Sequence, residues 1–144
     1  MLGSPQLGYG ESPSVVQWTG VLDVKASALE LSATVQEGWH VYAATQLPGG
    51  PTPLQVTLGE GAGAQLQGIA SGTAPLKRHD TSFALDTEFY TQAFTLHLPV
   101  IWHSSRETVA FLPVVVRYQT CSDHECLPPK TVHLSVPTGD AVQK

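Results

Sequence analysis

Val114–Val136 reads VVVRYQTCSDHECLPPKTVHLSV. Apolar side chains alternate on either side of its polar centre, at Val114, Val116 and Tyr118 and again at Val132, Leu134 and Val136. A period of two belongs to a strand with one face buried. The stretch therefore predicts two β-strands joined by a polar connection that closes on Pro128 and Pro129. The same period recurs at Leu29, Leu31, Ala33 and Val35, at Leu54, Val56 and Leu58, and at Phe94, Leu96, Leu98 and Val100. Further strands are expected over 15–24, 39–44 and 65–70, making about eight or nine short strands punctuated by turns. The segments between them, QLPGGPTP, LGEGAGAQ, IASGTAP and WHSSRE, are turn-forming, and no stretch carries a convincing helical apolar stripe. The pattern predicts an all-β fold, an immunoglobulin-like antiparallel β-sandwich. Two stretches look strand-poor, Gln46–Pro53 and Gly72–Thr87, and the second is long enough to be a functional loop.

A chain of 144 residues fits one domain with a core of its own. The alternating pattern bounds that domain at 15–137, with 1–14 expected as a flexible N-terminal segment and 138–144 as a C-terminal tail or linker. The formal net charge is -5, and the seven Lys and Arg are scattered, so there is no basic stripe for nucleic acid or anionic lipid. Apolar runs fall far short of the ~20 residues of a membrane helix. The opening MLGSPQLGYGESPS has neither the basic nor the apolar region of a signal peptide, so the compartment is not readable from it. No G-x-S-x-G, Walker-type or H-E-x-x-H pattern is present.

The only two cysteines, Cys121 and Cys126, flank four polar residues at the mouth of the expected hairpin. Residues facing each other across antiparallel strands can meet the geometry of a disulfide. As a staple it is weak, because closing a six-residue loop stabilises a fold by only about 2 kcal/mol and longer loops gain more. The immunoglobulin pattern, by contrast, separates its cysteines by most of the domain. Cys121, His124 and Cys126, with His133 and His79 at a distance, form at most one soft-ligand cluster, whereas structural zinc usually takes four ligands from paired knuckles. Spacing alone leaves a structural disulfide, an exchange-active pair, a metal site and two inert thiols all open.

Three segments together resemble the family of periplasmic N-terminal domains of the thiol:disulfide interchange protein DsbD. The first is VVVRYQTCSDHECLPPKTVHLSV, with its strand ending in Tyr-Gln, cysteine pair, Pro-Pro and closing strand. The second is GWHVYAATQLPGGPTPLQVTL and the third KRHDTSFALDTEFYTQAFTLHLPV. The resemblance spans most of the chain from Val15 to Val136. It implies an immunoglobulin-like sandwich in which Cys121 and Cys126 cycle between disulfide and dithiol, with no cofactor and no metal. Reducing equivalents would come from a thioredoxin-like domain of the same inner-membrane protein, of which this chain would be a periplasmic fragment. They would leave to a periplasmic disulfide isomerase or to the thioredoxin-like protein of cytochrome c maturation, so the activity implied is that of a protein-disulfide reductase. Phe83 matches the aromatic tip of a cap loop that shields the sulfurs, with His79, Asp80, Thr81 and Ser82 as the rest of it. Tyr42 matches a tyrosine near the pair, His40 stands at a neighbouring aromatic position, and His124 lies between the cysteines. The family's acidic cap residue aligns with Thr81, Asp80 lying one place earlier, and the segment between the cysteines is one residue shorter than in well-known members. By the same analogy Cys126 exchanges with partners and Cys121 resolves. The main rival is an immunoglobulin-like binding or assembly module whose hairpin disulfide is structural, and a second is a metal chaperone using the Cys121, His124 and Cys126 cluster.

Overall fold

Residues 14–105 and 109–139 are described by a computed structural model, and among them there is no helix. In chain order the strands are β1 (Val16–Asp23), β2 (Ala28–Val35), β3 (Trp39–Tyr42), β4 (Gln55–Leu58), β5 (Ala64–Leu66), β6 (Ser71–Gly72), β7 (Leu76–Asp80), β8 (Leu85–Tyr90), β9 (Ala93–Trp102), β10 (Phe111–Tyr118), β11 (Thr120–Ser122) and β12 (Lys130–Pro137). Every pairing is antiparallel. One sheet runs β1-β2-β9-β5 with β6 also on β9, a second runs β12-β10-β4, and a third runs β11-β3-β8-β7.

The alternating residues become the core. Leu29, Leu31, Leu96 and Leu98 from the first sheet, and Leu112, Val114, Val116 and Val136 from the second, belong to one apolar cluster. Each is at most 1% exposed. Burial of that kind contributes about 1.5–3 kcal/mol per side chain. Gly20 marks a close approach between β1 and β12, since a Cβ there would sit 2.9 Å from a methyl of Val136. The third sheet has two apolar faces. Val41 and Tyr90 join the main core, while Tyr42, Phe89 and Cys121 form a satellite cluster of their own.

Three expectations change. Gly72–Thr87 is not an unstructured loop but largely the β7–β8 hairpin, closed by a turn at residues 81–84. Its first strand, LKRHD, is exposed along most of its length, so no buried face wrote a period of two into the sequence. The strand expected over 65–70 shortens to β5, because Gly68 adopts φ +101°. Beyond it Gln67 and Ala70 still donate singly to the β9 carbonyls of Pro99 and His97. At the C-terminal boundary Thr138 is buried and its N–H donates to Ala110 O at 3.1 Å, so the fold extends past 137. Gln46–Pro53 is without strand, as expected. The expectations for residues 1–13 and 140–144 lie outside the described residues.

Candidate active site

Where β10 ends, the chain changes sheets. The Gln119 carbonyl accepts from the Tyr42 N–H at 3.2 Å, its side-chain oxygen accepts from the Thr52 N–H at 2.8 Å, and its amide donates to Leu127 O at 3.3 Å. One glutamine thus ties the cysteine segment to the end of β3 and to the Gln46–Pro53 loop. The next three residues leave the β10–β12 hairpin and pair with β3 instead, placing Thr120 opposite Val41, Cys121 opposite His40 and Ser122 opposite Trp39.

A tight turn then brings Cys126 back onto Cys121. The Ser122 hydroxyl accepts from the N–H groups of His124 and Glu125 at 3.1 and 3.2 Å, local bonding for which serine suits turns. Backbone bonds flank the pair, Ser122 N–H to Glu125 O at 2.8 Å and Leu127 N–H to Thr120 O at 3.0 Å. Cys121 and Cys126 therefore form an isolated antiparallel bridge of the non-hydrogen-bonded kind, the arrangement that draws opposite residues closest. Their Cα atoms are 4.0 Å apart and the sulfurs are bonded at 2.05 Å. The two ends differ sharply in exposure, for Cys121 is 0% exposed and Cys126 is exposed.

What buries Cys121 is the satellite cluster. Tyr42 and Phe89 pack with it, and half-buried Phe83 lies against the group from the β7–β8 turn. The Phe83 ring meets Tyr42 edge-on at 5.7 Å between centroids. The Arg78 guanidinium lies over the Phe89 ring, 5.1 Å from its centre. Asp80 anchors the turn with both carboxylate oxygens. Oδ1 accepts from the Ser82 N–H at 2.8 Å, and Oδ2 accepts from the hydroxyls of Tyr42 at 2.5 Å and Thr87 at 3.2 Å. Burial, then the bond to Asp80, holds the Tyr42 phenol far above the ordinary tyrosine range, so it stays protonated as a hydrogen-bond donor.

His40 closes the constellation. Its Nε2 lies 3.0 Å from the Tyr42 oxygen, and its ring meets Tyr42 edge-on and Phe89 at a tilt, each at 5.0 Å. Burial lowers its pKa from the ordinary 6.5, against the opposing pull of Asp80 and Asp123 and with the help of Arg78. The imidazole is therefore neutral at pH 7. Beside it a polar cavity of about 330 Å³ lies between the β7–β8 hairpin and the cysteine turn, lined among others by His40, Arg78, Asp80, Thr87, Ser122 and Asp123.

The structure thus gathers Cys121, Cys126, His40, Tyr42, Asp80 and Phe83 into one place and leaves others at its margin. Thr81 and Ser82 line the cavity from the turn. His79 also borders it and pairs across the hairpin with Asp86 at 3.6 Å, both side chains largely exposed. His124 points outward as an exposed turn residue, and its neighbour Asp123 faces the cavity instead. The resemblance puts the family's acidic residue at Thr81, with Asp80 one place earlier, and in this structure it is Asp80 whose carboxylate accepts from Tyr42, Thr87 and the Ser82 N–H. Sequence reasoning missed Thr87, Arg78 and Gln119, none of which carries a motif. Among the described residues no three His, Cys, Asp or Glu side chains come together as a metal-ligand set, and no helix is long and apolar enough to cross a membrane.

The DsbD N-terminal domain of Neisseria meningitidis in its reduced form shares the fold with a TM-score of 0.58 and 15% identity, covering 79% of each chain. A chain of the complex between the DsbD N-terminal and PilB N-terminal domains of the same organism gives 0.57 and 13%, covering 83% of this chain and 80% of that one. The collagen-binding subdomain of the Enterococcus faecalis surface protein ACE gives 0.50 and 8%, covering 88% of this chain and 99% of that one. No curated protein sequence matches. The profile described as the N-terminal part of the thiol:disulfide interchange protein DsbD matches residues 12–137, and with a cysteine pair at bonding distance in a β-sandwich the chain belongs to that family.

Proposed function

We propose that this domain is the electron-relaying part of a protein-disulfide reductase within an inner-membrane protein, with Cys126 as the sulfur that exchanges with partners and Cys121 as the one that resolves. The family is periplasmic and carries a thiol-disulfide redox role. The observation that carries the assignment of the two sulfurs is their unequal exposure. An incoming thiolate must approach the disulfide in line with the S–S bond and reach the sulfur it attacks, and only Cys126 is exposed. Electrons enter from a thioredoxin-like domain of the same protein and leave to an oxidised disulfide isomerase or a thioredoxin-like protein of cytochrome c maturation. A pairing of this kind is supported by the meningococcal complex between DsbD and PilB N-terminal domains. Phe83 and the His79–Ser82 segment serve as the cap over the buried sulfur.

The fold alone would equally suit an adhesion module, as its likeness to a collagen-binding subdomain illustrates. Redox poise separates the two, since structural disulfides lie below about -300 mV and exchange-active ones above. Trapping tests the roles. Cys121→Ser should accumulate a mixed disulfide with a thioredoxin-like partner through Cys126, and Cys126→Ser should not. Trapping only through Cys121 would reverse the assignment.

A further inference from the structure

When a partner thiolate attacks Cys126, the S–S bond breaks and its electron pair stays on Cys121. That sulfur is 0% exposed, packed among Tyr42, Phe89 and Phe83. A charge left in an apolar site without compensation is strongly disfavoured. Water does not reach the sulfur to supply a proton, so a neighbouring side chain must. In the return direction, with Cys126 joined to an oxidised partner, Cys121 must lose that proton before it can attack Cys126 and release the partner's thiolate. Both directions need a proton carrier between the buried sulfur and solvent.

Across the strand pair, the residue opposite Cys121 is His40, and directly opposite residues present their side chains on the same face of a sheet. The hydrogen bonds fix which ring nitrogen is basic. The Tyr42 hydroxyl has one proton and gives it to Asp80, so at the His40 contact its oxygen accepts and Nε2 must carry the hydrogen. Nδ1 is left with the lone pair. Asp80 and Tyr42 thereby orient the imidazole, as a third group orients the base in a nucleophile–base pair. His40 also borders both the cavity of about 330 Å³ and a second, of about 670 Å³, that extends past Trp39 and Gln92. His40 thus stands across the strand pair from the buried sulfur, on the same face of the sheet, and borders the two cavities.

We propose that His40 Nδ1 carries the Cys121 proton, accepting it when Cys121 resolves a mixed disulfide and returning it when the disulfide is reduced. The inference rests on the roles given to the two cysteines above. In the resolving step the Cys121 S–H proton moves to Nδ1, the freed thiolate attacks Cys126, and the partner leaves as a thiolate. The imidazolium then releases its proton to solvent. Two electrons pass from the dithiol to the partner disulfide. The groups facing the ring are Tyr42 on its own strand, Asp80 and Arg78 from β7, Asp123 from the cysteine turn and the uncharged Phe89 from β8.

The reduced protein can be mixed with 5,5′-dithiobis(2-nitrobenzoate), which releases one coloured thiolate when Cys126 attacks it and a second when Cys121 resolves. The second phase is intramolecular, so its rate is independent of reagent concentration. In the native protein it should be flat with pH from neutrality upward. In His40→Gln it should slow about a hundredfold at pH 7, the low end of general-base catalysis, and rise with pH as the thiol itself ionises, while the first phase keeps its rate. His40→Tyr, which retains an aromatic ring but has no basic nitrogen, should behave like His40→Gln. An unchanged second phase and pH profile would overturn the proposal. So would an equal slowing of both phases together with a lowered Tm, which indicates packing alone. If the first phase survives in Cys126→Ser and is lost in Cys121→Ser, the cysteine roles are reversed and both readings fall. That arm fails independently of the histidine variants.

Discussion

Asp80 holds three neighbours with one carboxylate, and the position of the β7–β8 turn depends on it. The Ser82 bond shapes the turn, and the Tyr42 and Thr87 bonds fasten the turn to the sheet beneath. Asp80→Asn keeps one acceptor but offers an N–H₂ group to two hydroxyls that were donating, so they must reorient or go unpaired. The expected loss is about 1–3 kcal/mol, the cost of disrupting partly buried hydrogen bonds to a charged group, read from urea unfolding. A loss within error of zero would show that the carboxylate is solvated rather than structural. His40 contributes a pH dependence. Its folded pKa lies below 6.5 because of burial, so below pH 6.5 the unfolded chain binds a proton that the folded chain resists. Stability is then fully present above the unfolded value and falls as pH drops through the folded one. His40→Gln should flatten that acid limb, measurable as a smaller difference in Tm between pH 7.5 and pH 5.5. An unchanged difference would mean that other groups set it.

The β7–β8 hairpin was least legible in the sequence, although the residues it carries could be matched to the family. Strands such as β2 and β9 announce themselves because one face is buried, and Leu29, Leu31, Leu96 and Leu98 record it. β7 presents LKRHD to solvent as the edge strand of its sheet, and charged edges of this kind discourage pairing with other chains. Its strand character comes from β8, whose Phe89 and Thr87 are buried, and such a tertiary cause leaves no local period. The turn beyond it puts Ala84 at φ +58°, a conformation that sequence alone does not suggest for alanine. At its tip Phe83 is half-buried, so Phe83→Ala should cost about 1–2 kcal/mol, short of the roughly 3–5 of a fully buried aromatic. Its chemical effect should fall on Cys121 rather than Cys126, since Cys121 is the covered sulfur. With reduced protein and iodoacetamide, peptide mapping should show Cys126 modified first in the native chain and the lag of Cys121 shortened in the variant. An unchanged lag would locate the shielding in Tyr42 and Phe89 alone.

For the whole molecule, a bond that must open and close repeatedly cannot be one on which the fold depends. The architecture meets this condition by keeping the pair apart from the main core. Cys121 belongs to the satellite cluster on the third sheet, whereas the first two sheets close over their own leucines and valines. The sandwich and its core strands were readable from alternation. The switch of Cys121 from the β10–β12 hairpin to β3 was not, because it depends on Gln119 reaching Leu127 and also Thr52, which is far away in sequence. Reduction removes a loop constraint worth about 2 kcal/mol from a domain whose typical stability is about 5–15 kcal/mol. At roughly 4 °C per kcal/mol for a chain of this size, dithiothreitol should lower Tm by about 8 °C at most and leave the far-ultraviolet circular dichroism at 25 °C unchanged. Leu96→Ala, which opens a cavity in the main core, should cost about 2–5 kcal/mol and shift Tm at least as far. Scanning calorimetry of the oxidised, reduced and Leu96→Ala proteins puts the three on one scale. A reduced domain already unfolded at 25 °C would make the bond a staple and remove the basis for electron relay. A reduced domain that melts as a single cooperative transition, at or above the Tm of Leu96→Ala, is what a cycling disulfide requires.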